Sequence, residues 1–226
     1  MTTLFGIQLV ACQPIQSAKT VPLQTSPTTG FLNPGGRQYI VDTSASEIRL
    51  LVYREGPLAR LGHNHVMTGS VRGEISVSDN LAASGFRLEI PVETFAVDLP
   101  LPRSEEGAEF AAEVSDGARQ GTRKNMLGED LLDALQHPVI SIESLALNGT
   151  RWNPDVIAHI KLRGVTSELK FPATVDEQNG SIVISASFRV LQTELGLQPF
   201  SILGGAISVR DAIDVRVHLL ARRETE

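Results

Sequence analysis

A strict alternation of apolar and polar residues is the feature that most constrains the fold of this chain. In residues 182–190 the even positions carry Ile, Ile, Ala, Phe and Val, and the odd positions become polar from Ser185 onward. Residues 213–219 and 48–52 repeat the alternation. Successive side chains of a β-strand point to opposite faces, so this period of two predicts strands with one apolar face and one polar face.

Further strands are predicted along the rest of the chain, at about residues 71–78, 85–97, 139–147, 155–163 and 165–175. Asn148-Gly149, Arg163-Gly164 and Asn179-Gly180 lie between apolar runs, where Asn and Gly accept the positive φ of tight hairpins. Short connections join consecutive strands in antiparallel pairs. We therefore predict an all-β fold of eight or nine strands that closes into an up-and-down, eight-stranded antiparallel barrel.

One segment, at about residues 104–136, departs from this alternation and has apolar residues at helical spacing. Phe110 and Val114 are followed by Met126, Leu127, Leu131, Leu132 and Leu135. This pattern predicts one or two helices, the second ending at His137-Pro138 because the residue before proline avoids the helical region. We expect their apolar stripe to cover one opening of the barrel.

The start of the chain has a different composition from the barrel. Leu9-Val10-Ala11-Cys12 matches a bacterial lipoprotein signal, although only eleven residues precede Cys12 and none of them is Lys or Arg. We expect residues 1–12 to be a truncated signal of this type with Cys12 as the lipidation candidate, and a chance match stays open. Residues 13–36 are rich in Pro, Thr and Gln and are predicted to be a linker. The folded domain would then span residues 37–226.

Composition excludes several functional classes. The net charge is −6, and no run of basic residues is interleaved with aromatics, which argues against a nucleic-acid partner. A single cysteine excludes an intramolecular disulfide and a Cys-rich zinc site. The sequence has no Gly-x-Ser-x-Gly elbow and no phosphate-binding loop, so we predict no enzyme and no cofactor.

His63 and His65 form the one constellation that could carry metal chemistry. Residues two apart in an extended chain point to the same side, so both imidazoles could contact one ion. A third ligand would have to come from elsewhere, and the candidates are His137, His159, His218 and Asp211. A metal-binding protein or metal-dependent enzyme centred on this pair is therefore the alternative to a polar rim at the end of a barrel.

The inward face of the predicted barrel is apolar and could either enclose a ligand or form a solid core. The candidate wall or rim residues are Leu50, Val52, Phe86, Phe95, Phe171, Phe188 and Phe200. Ala158, Ala173 and Ala186 are small enough to leave a channel among them. The residues alone leave both interpretations open.

The order of several short motifs resembles the YceI-like family of bacterial exported proteins. The motifs are Tyr39–Asp42, Gly69–Ile75, His137–Ile140, Leu162–Thr166, the run from Thr193 to Ala206, and a last strand from Asp211 to Ala221. They cover about residues 38–222. The resemblance implies a lipocalin-like antiparallel barrel that encloses a long apolar lipid.

Together these observations predict a protein that binds a polyisoprenoid, fatty acid or related lipid without catalysis, for carriage or sequestration. His63 and His65 would form a polar rim. We expect a periplasmic or cell-envelope location, with the membrane contacted only through Cys12, and a homodimer is left open.

Overall fold

The computed structural model describes residues 36–224 of the chain. The predicted signal at residues 1–12, with Cys12, therefore lies outside the described residues, as does all but the last residue of the predicted linker. Those assignments stay predictions.

Twelve β-strand segments and two α-helices make up the described residues, with several short 3₁₀ turns between them. In chain order the strands are β1 Arg37–Val41, β2 Glu47–Glu55, β3 His65–Ser70, β4 Arg72–Val77, β5 Gly85–Pro91, β6 Ala96–Val97, β7 Val139–Gly149, β8 Pro154–Leu162, β9 Val165–Gln178, β10 Ser181–Leu191, β11 Ser201–Ile202 and β12 Ile207–Arg223. The helices are α1 Pro100–Ser104 and α2 Asp116–Leu127.

The strands form one closed antiparallel barrel, which confirms the predicted fold. The pairing order is β1, β4, β5, β7, β8, β9, β10 and β12, and β1 closes the ring on β12 through the pairs Tyr39 with Arg223 and Val41 with Ala221. β1 and β2 both pair with β12 on one side. On the other side β1 pairs with β4 and β2 pairs with β3. The pairs β1/β2, β3/β4 and β5/β6 are therefore three barrel strands that are each interrupted once, and with β7 to β10 and β12 they make eight.

The predicted strand at 71–78 corresponds to β4, whereas β3 was not predicted and the predicted continuous strand at 85–97 is interrupted. Residues 92–94 form a 3₁₀ turn between β5 and β6, and β4 begins only after a break at Val71. Gly69 on β3 permits a close contact near this break, because a Cβ at that position would lie 2.8 Å from Cε1 of Phe95. The ring of Phe95, which is 2% exposed, packs directly on the glycine backbone.

The two ends of the barrel are built differently. We call one the helical end, because it carries the connections at 56–64, 98–138, 163–164 and 192–206, and therefore both helices. We call the other the terminal end, because β1 begins and β12 ends there. It carries the connections at 78–84, 150–153 and 179–180, none longer than seven residues.

The helical insertion is shorter in helix than predicted. The Ser115 side chain caps the start of α2 by accepting a hydrogen bond from the Ala118 N–H, and the helix ends at Leu127, before Gly128, not at residue 136. Residues 129–136 form turns, in which the N–H of Leu132 bonds back to the carbonyl of Met126. No helix in residues 36–224 is long and apolar enough to cross a membrane.

The predicted apolar stripe is divided between two places. Met126, Leu127, Leu131 and Leu132 pack against the barrel core, as expected. Phe110 instead packs on the outer wall, against Leu51, Val66 and Tyr53. Leu135 is 94% exposed, because the helix that would have turned it inward has already ended.

Candidate ligand cavity

The barrel encloses an apolar cavity of about 350 Å³, which lies within the usual size range of small-molecule sites. The inward residues of β10 from Ile182 to Val190 all line it. At about 3.3 Å per residue and a strand tilt of about 40°, these positions span roughly 20 Å along the barrel axis. The cavity is therefore elongated.

The predicted wall and rim residues all line this cavity. They are Leu50, Val52, Phe86, Phe95, Phe171, Phe188 and Phe200, together with His63 and His65. Phe171 and Phe188 stack on neighbouring strands with ring centroids 4.3 Å apart and planes 12° apart. Their location is thus as expected, and their role in binding a ligand stays a prediction.

The barrel interior contains a cavity and is not a solid core. Ala173 and Ala186 pair across β9 and β10, beside the stacked phenylalanines, and both line the cavity. Ile184, Ala186 and Phe188 point inward but are only partly buried, because part of their surface faces the empty interior. Ala158, the third predicted small residue, is fully buried and does not line the cavity.

A cluster of charged side chains borders the cavity at the terminal end. Glu177 accepts hydrogen bonds from the Tyr39 hydroxyl at 2.6 Å, from Arg37 Nε at 3.1 Å and from Arg151 at 2.6 Å. The Tyr39 hydrogen bond and the two guanidinium groups hold the pKa of Glu177 below its usual value, against the opposing effect of burial. These contacts tie β1, β9 and the connection between β7 and β8 together at this end.

The helical end carries His63 and His65, whose ring centroids lie 6.3 Å apart. His65 is the first residue of β3, and its Nδ1 lies 2.7 Å from a carboxylate oxygen of Asp98. The Asp98 side chain is completely buried and also accepts hydrogen bonds from the Val66 N–H at 2.9 Å and from Arg103 at 2.6 Å. Arg103 in turn donates to the backbone carbonyls of Asn64 and Ala112.

The charge state of Asp98 follows from these contacts. Burial alone would raise its pKa, but the hydrogen bonds from His65 and Val66 and the positive charge of Arg103 hold the pKa below its ordinary value. Asp98 is therefore a carboxylate, which can only accept hydrogen bonds. It follows that Nδ1 of His65 carries a proton and donates it to Asp98.

Sequence reasoning missed Asp98 and Arg103. Asp98 is 33 positions from His65 along the chain, so no local spacing joins them. Asp98 has a φ of 53°, an uncommon value for a residue other than glycine, and this turn aims its carboxylate into the wall. An acidic residue directly after an apolar strand and before Leu99-Pro100 is the one sequence signal that marked it.

Residues 36–224 provide no ligand set for the metal-binding alternative. These residues contain no group of three or more His, Cys, Asp or Glu side chains that could hold a metal ion. Asp98 contacts the pair through His65, and its oxygens also accept hydrogen bonds from Val66 and Arg103.

The fold and the cavity together define a class of protein, an up-and-down antiparallel barrel with an apolar interior and polar groups at both ends. Within this class the chain belongs to the YceI-like family, whose domain model matches residues 39–221. This finding confirms the resemblance seen in the sequence. No curated protein sequence matches the chain.

Solved structures share the fold at low sequence identity. The crystal structure of BcnA from Burkholderia cenocepacia is 14% identical, with 80% of this chain and 98% of that chain covered and a TM-score of 0.57. A polyisoprenoid-binding domain from Saccharophagus degradans, implicated in plant cell wall breakdown, is 12% identical, with 82% and 98% covered and a TM-score of 0.57. At these identities the likeness extends to the barrel alone.

Proposed function

We propose that this protein binds a long apolar molecule, a polyisoprenoid, fatty acid or related lipid, inside the barrel and does so without catalysis. The observation that carries the proposal is the elongated apolar cavity of about 350 Å³, with its polar groups confined to the two ends. Each 100 Å² of apolar ligand surface withdrawn from water would contribute about 2.5 kcal/mol to binding. The Saccharophagus degradans structure, described as a polyisoprenoid-binding domain, supports this ligand class.

Native mass spectrometry of protein purified without detergent or added metal tests the proposal directly. We expect a co-purified species with the mass of a lipid, released by organic solvent. Stoichiometric zinc or copper that disappears in a His63→Ala/His65→Ala variant would instead favour the metal alternative. An empty protein that also fails to take up an added C20 isoprenoid would refute the proposal.

Blocking the cavity provides a matched pair of variants. Ala173→Leu places a larger side chain in the lumen beside Ala186, whereas Thr174→Leu adds the same side chain to the exposed outer face of β9. We expect the first variant to lose most of its bound lipid and the second to retain it. Equal lipid content in both folded variants would show that the lipid binds outside the barrel.

A role in carriage or sequestration in the cell envelope is part of this proposal. It depends on export, which was predicted from residues 1–12 outside the described residues. A homodimer likewise stays a prediction.

A further inference from the structure

We propose that the ligand carries a hydroxyl group and that Nε2 of His65 accepts the hydrogen bond from it at the helical end. This inference rests on the proposed function, because it names the polar end of the molecule that the apolar cavity would hold. His65 lines the cavity, and its side chain is only 14% exposed.

The tautomer of His65 is fixed by the buried ion pair behind it. Nδ1 donates to the Asp98 carboxylate at 2.7 Å, so a neutral ring leaves Nε2 as a hydrogen-bond acceptor. Arg103 already balances the charge of Asp98 at 2.6 Å.

The protein itself offers Nε2 only a weak partner. The hydroxyl of Thr122 on α2 lies 3.5 Å from Nε2, at the long limit of a hydrogen bond, and Thr122 also lines the cavity. Nε2 can therefore accept a shorter bond from a ligand. Neighbouring groups include His63, whose ring lies 6.3 Å away, and Arg119, which donates to the backbone carbonyl of Asp98.

The acceptor selects among possible ligand heads. An alcohol or a phenol donates to Nε2, whereas a methyl ether or a plain hydrocarbon cannot. A phosphate would need a positive ring. A single hydrogen bond contributes about 0.5–1.5 kcal/mol, which corresponds to a preference of roughly 2- to 12-fold for the alcohol over its ether.

The test uses delipidated full-length protein with geranylgeraniol, its methyl ether and geranylgeranyl phosphate as probes, each titrated by displacement of a bound apolar dye. We expect the alcohol to bind roughly 2- to 12-fold more tightly than the ether. His65→Leu should abolish this preference while both probes still bind, and His65→Gln, which restores an acceptor oxygen, should recover part of it. His159→Leu, on β8 and outside the cavity lining, should leave the preference unchanged.

An Asp98→Asn variant that folds tests whether Asp98 sets the tautomer of His65. The amide would donate to Nδ1 and move the ring proton to Nε2, which can then donate to the oxygen of either probe, so the preference for the alcohol should disappear. Equal affinity of wild-type protein for alcohol and ether, tighter binding of the phosphate, or a preference lost in His63→Leu but kept in His65→Leu would each overturn the inference while the apolar binding stands. Failure of all three probes to bind would refute the proposed function, and this inference with it.

Discussion

Replacing Asp98 with alanine should destabilise the protein strongly. The carboxylate is completely buried and accepts three hydrogen bonds, from His65, the Val66 N–H and Arg103. The Arg103 side chain is only 9% exposed, so the substitution leaves a buried cation without its counter-charge. Breaking a buried ion pair in this way costs about 3–5 kcal/mol. For a domain of about 150–250 residues this lowers Tm by roughly 6–20 °C.

Urea unfolding followed by circular dichroism measures this free energy. The control is Asp79→Ala, because Asp79 also accepts from an arginine, Arg37 at 3.0 Å, but its side chain is 91% exposed. Such exposed pairs contribute less than about 1 kcal/mol. Adding Arg103→Met to the Asp98→Ala background should recover part of the loss, since it removes the stranded charge. If Asp98→Ala, like Asp79→Ala, lowered the free energy of unfolding by less than about 1 kcal/mol, Asp98 would not be an essential buried counter-ion.

Three further predictions concern packing, pH and export. Gly69→Ala should destabilise the protein by about 1–3 kcal/mol, because the new Cβ would lie 2.8 Å from the Phe95 ring. Gly121→Ala within α2 adds a Cβ with nothing within 4 Å and should stabilise the protein by up to about 1 kcal/mol. Thermal unfolding of the two variants should therefore give Tm shifts of opposite sign. The pKa of Glu177 is lowered in the folded protein, so its contribution to stability is present above the unfolded-state pKa and is lost as pH falls through the folded-state pKa. Glu177→Gln should therefore flatten the decline of Tm below about pH 4, and an unchanged decline would contradict this. Protein from the membrane fraction of its native host should begin at a lipid-modified Cys12, and Cys12→Ser should move it to the soluble fraction; an unmodified cysteine in intact-mass measurements would contradict the signal assignment.

The barrel could be predicted from the sequence because alternation reports directly which residues face inward. Ile48, Leu50 and Val52 line the cavity as their spacing indicated, and the Asn-Gly turn at 179–180 joins β9 to β10. The interruption at residues 92–94 was missed within the predicted strand 85–97, and β3 was missed because its four middle residues are all buried and show no alternation. The helix end was misplaced because Leu131, Leu132 and Leu135 continue the helical spacing past Gly128, where the helix has already stopped.

The polar site was only half predictable. His63 and His65 were visible as a pair, and they were predicted to lie at one end of the barrel because they precede the strand predicted at 71–78; the structure starts β3 at His65 itself. Their chemistry was not visible, because Asp98 and Arg103 reach His65 only after the chain has closed its third barrel strand and turned into α1. A contact across that distance is specified by the fold as a whole.

The closure of β1 on β12 has a practical consequence for handling the protein. Glu224 and Gln38 are joined by a backbone hydrogen bond of 3.0 Å, so the first and last strands meet at the terminal end, across the length of the barrel from His65. A sensor chip or resin coupled through a tag after Glu226 would hold the molecule by that end. The helical end would face the solution, and an immobilised layer would present it in one orientation.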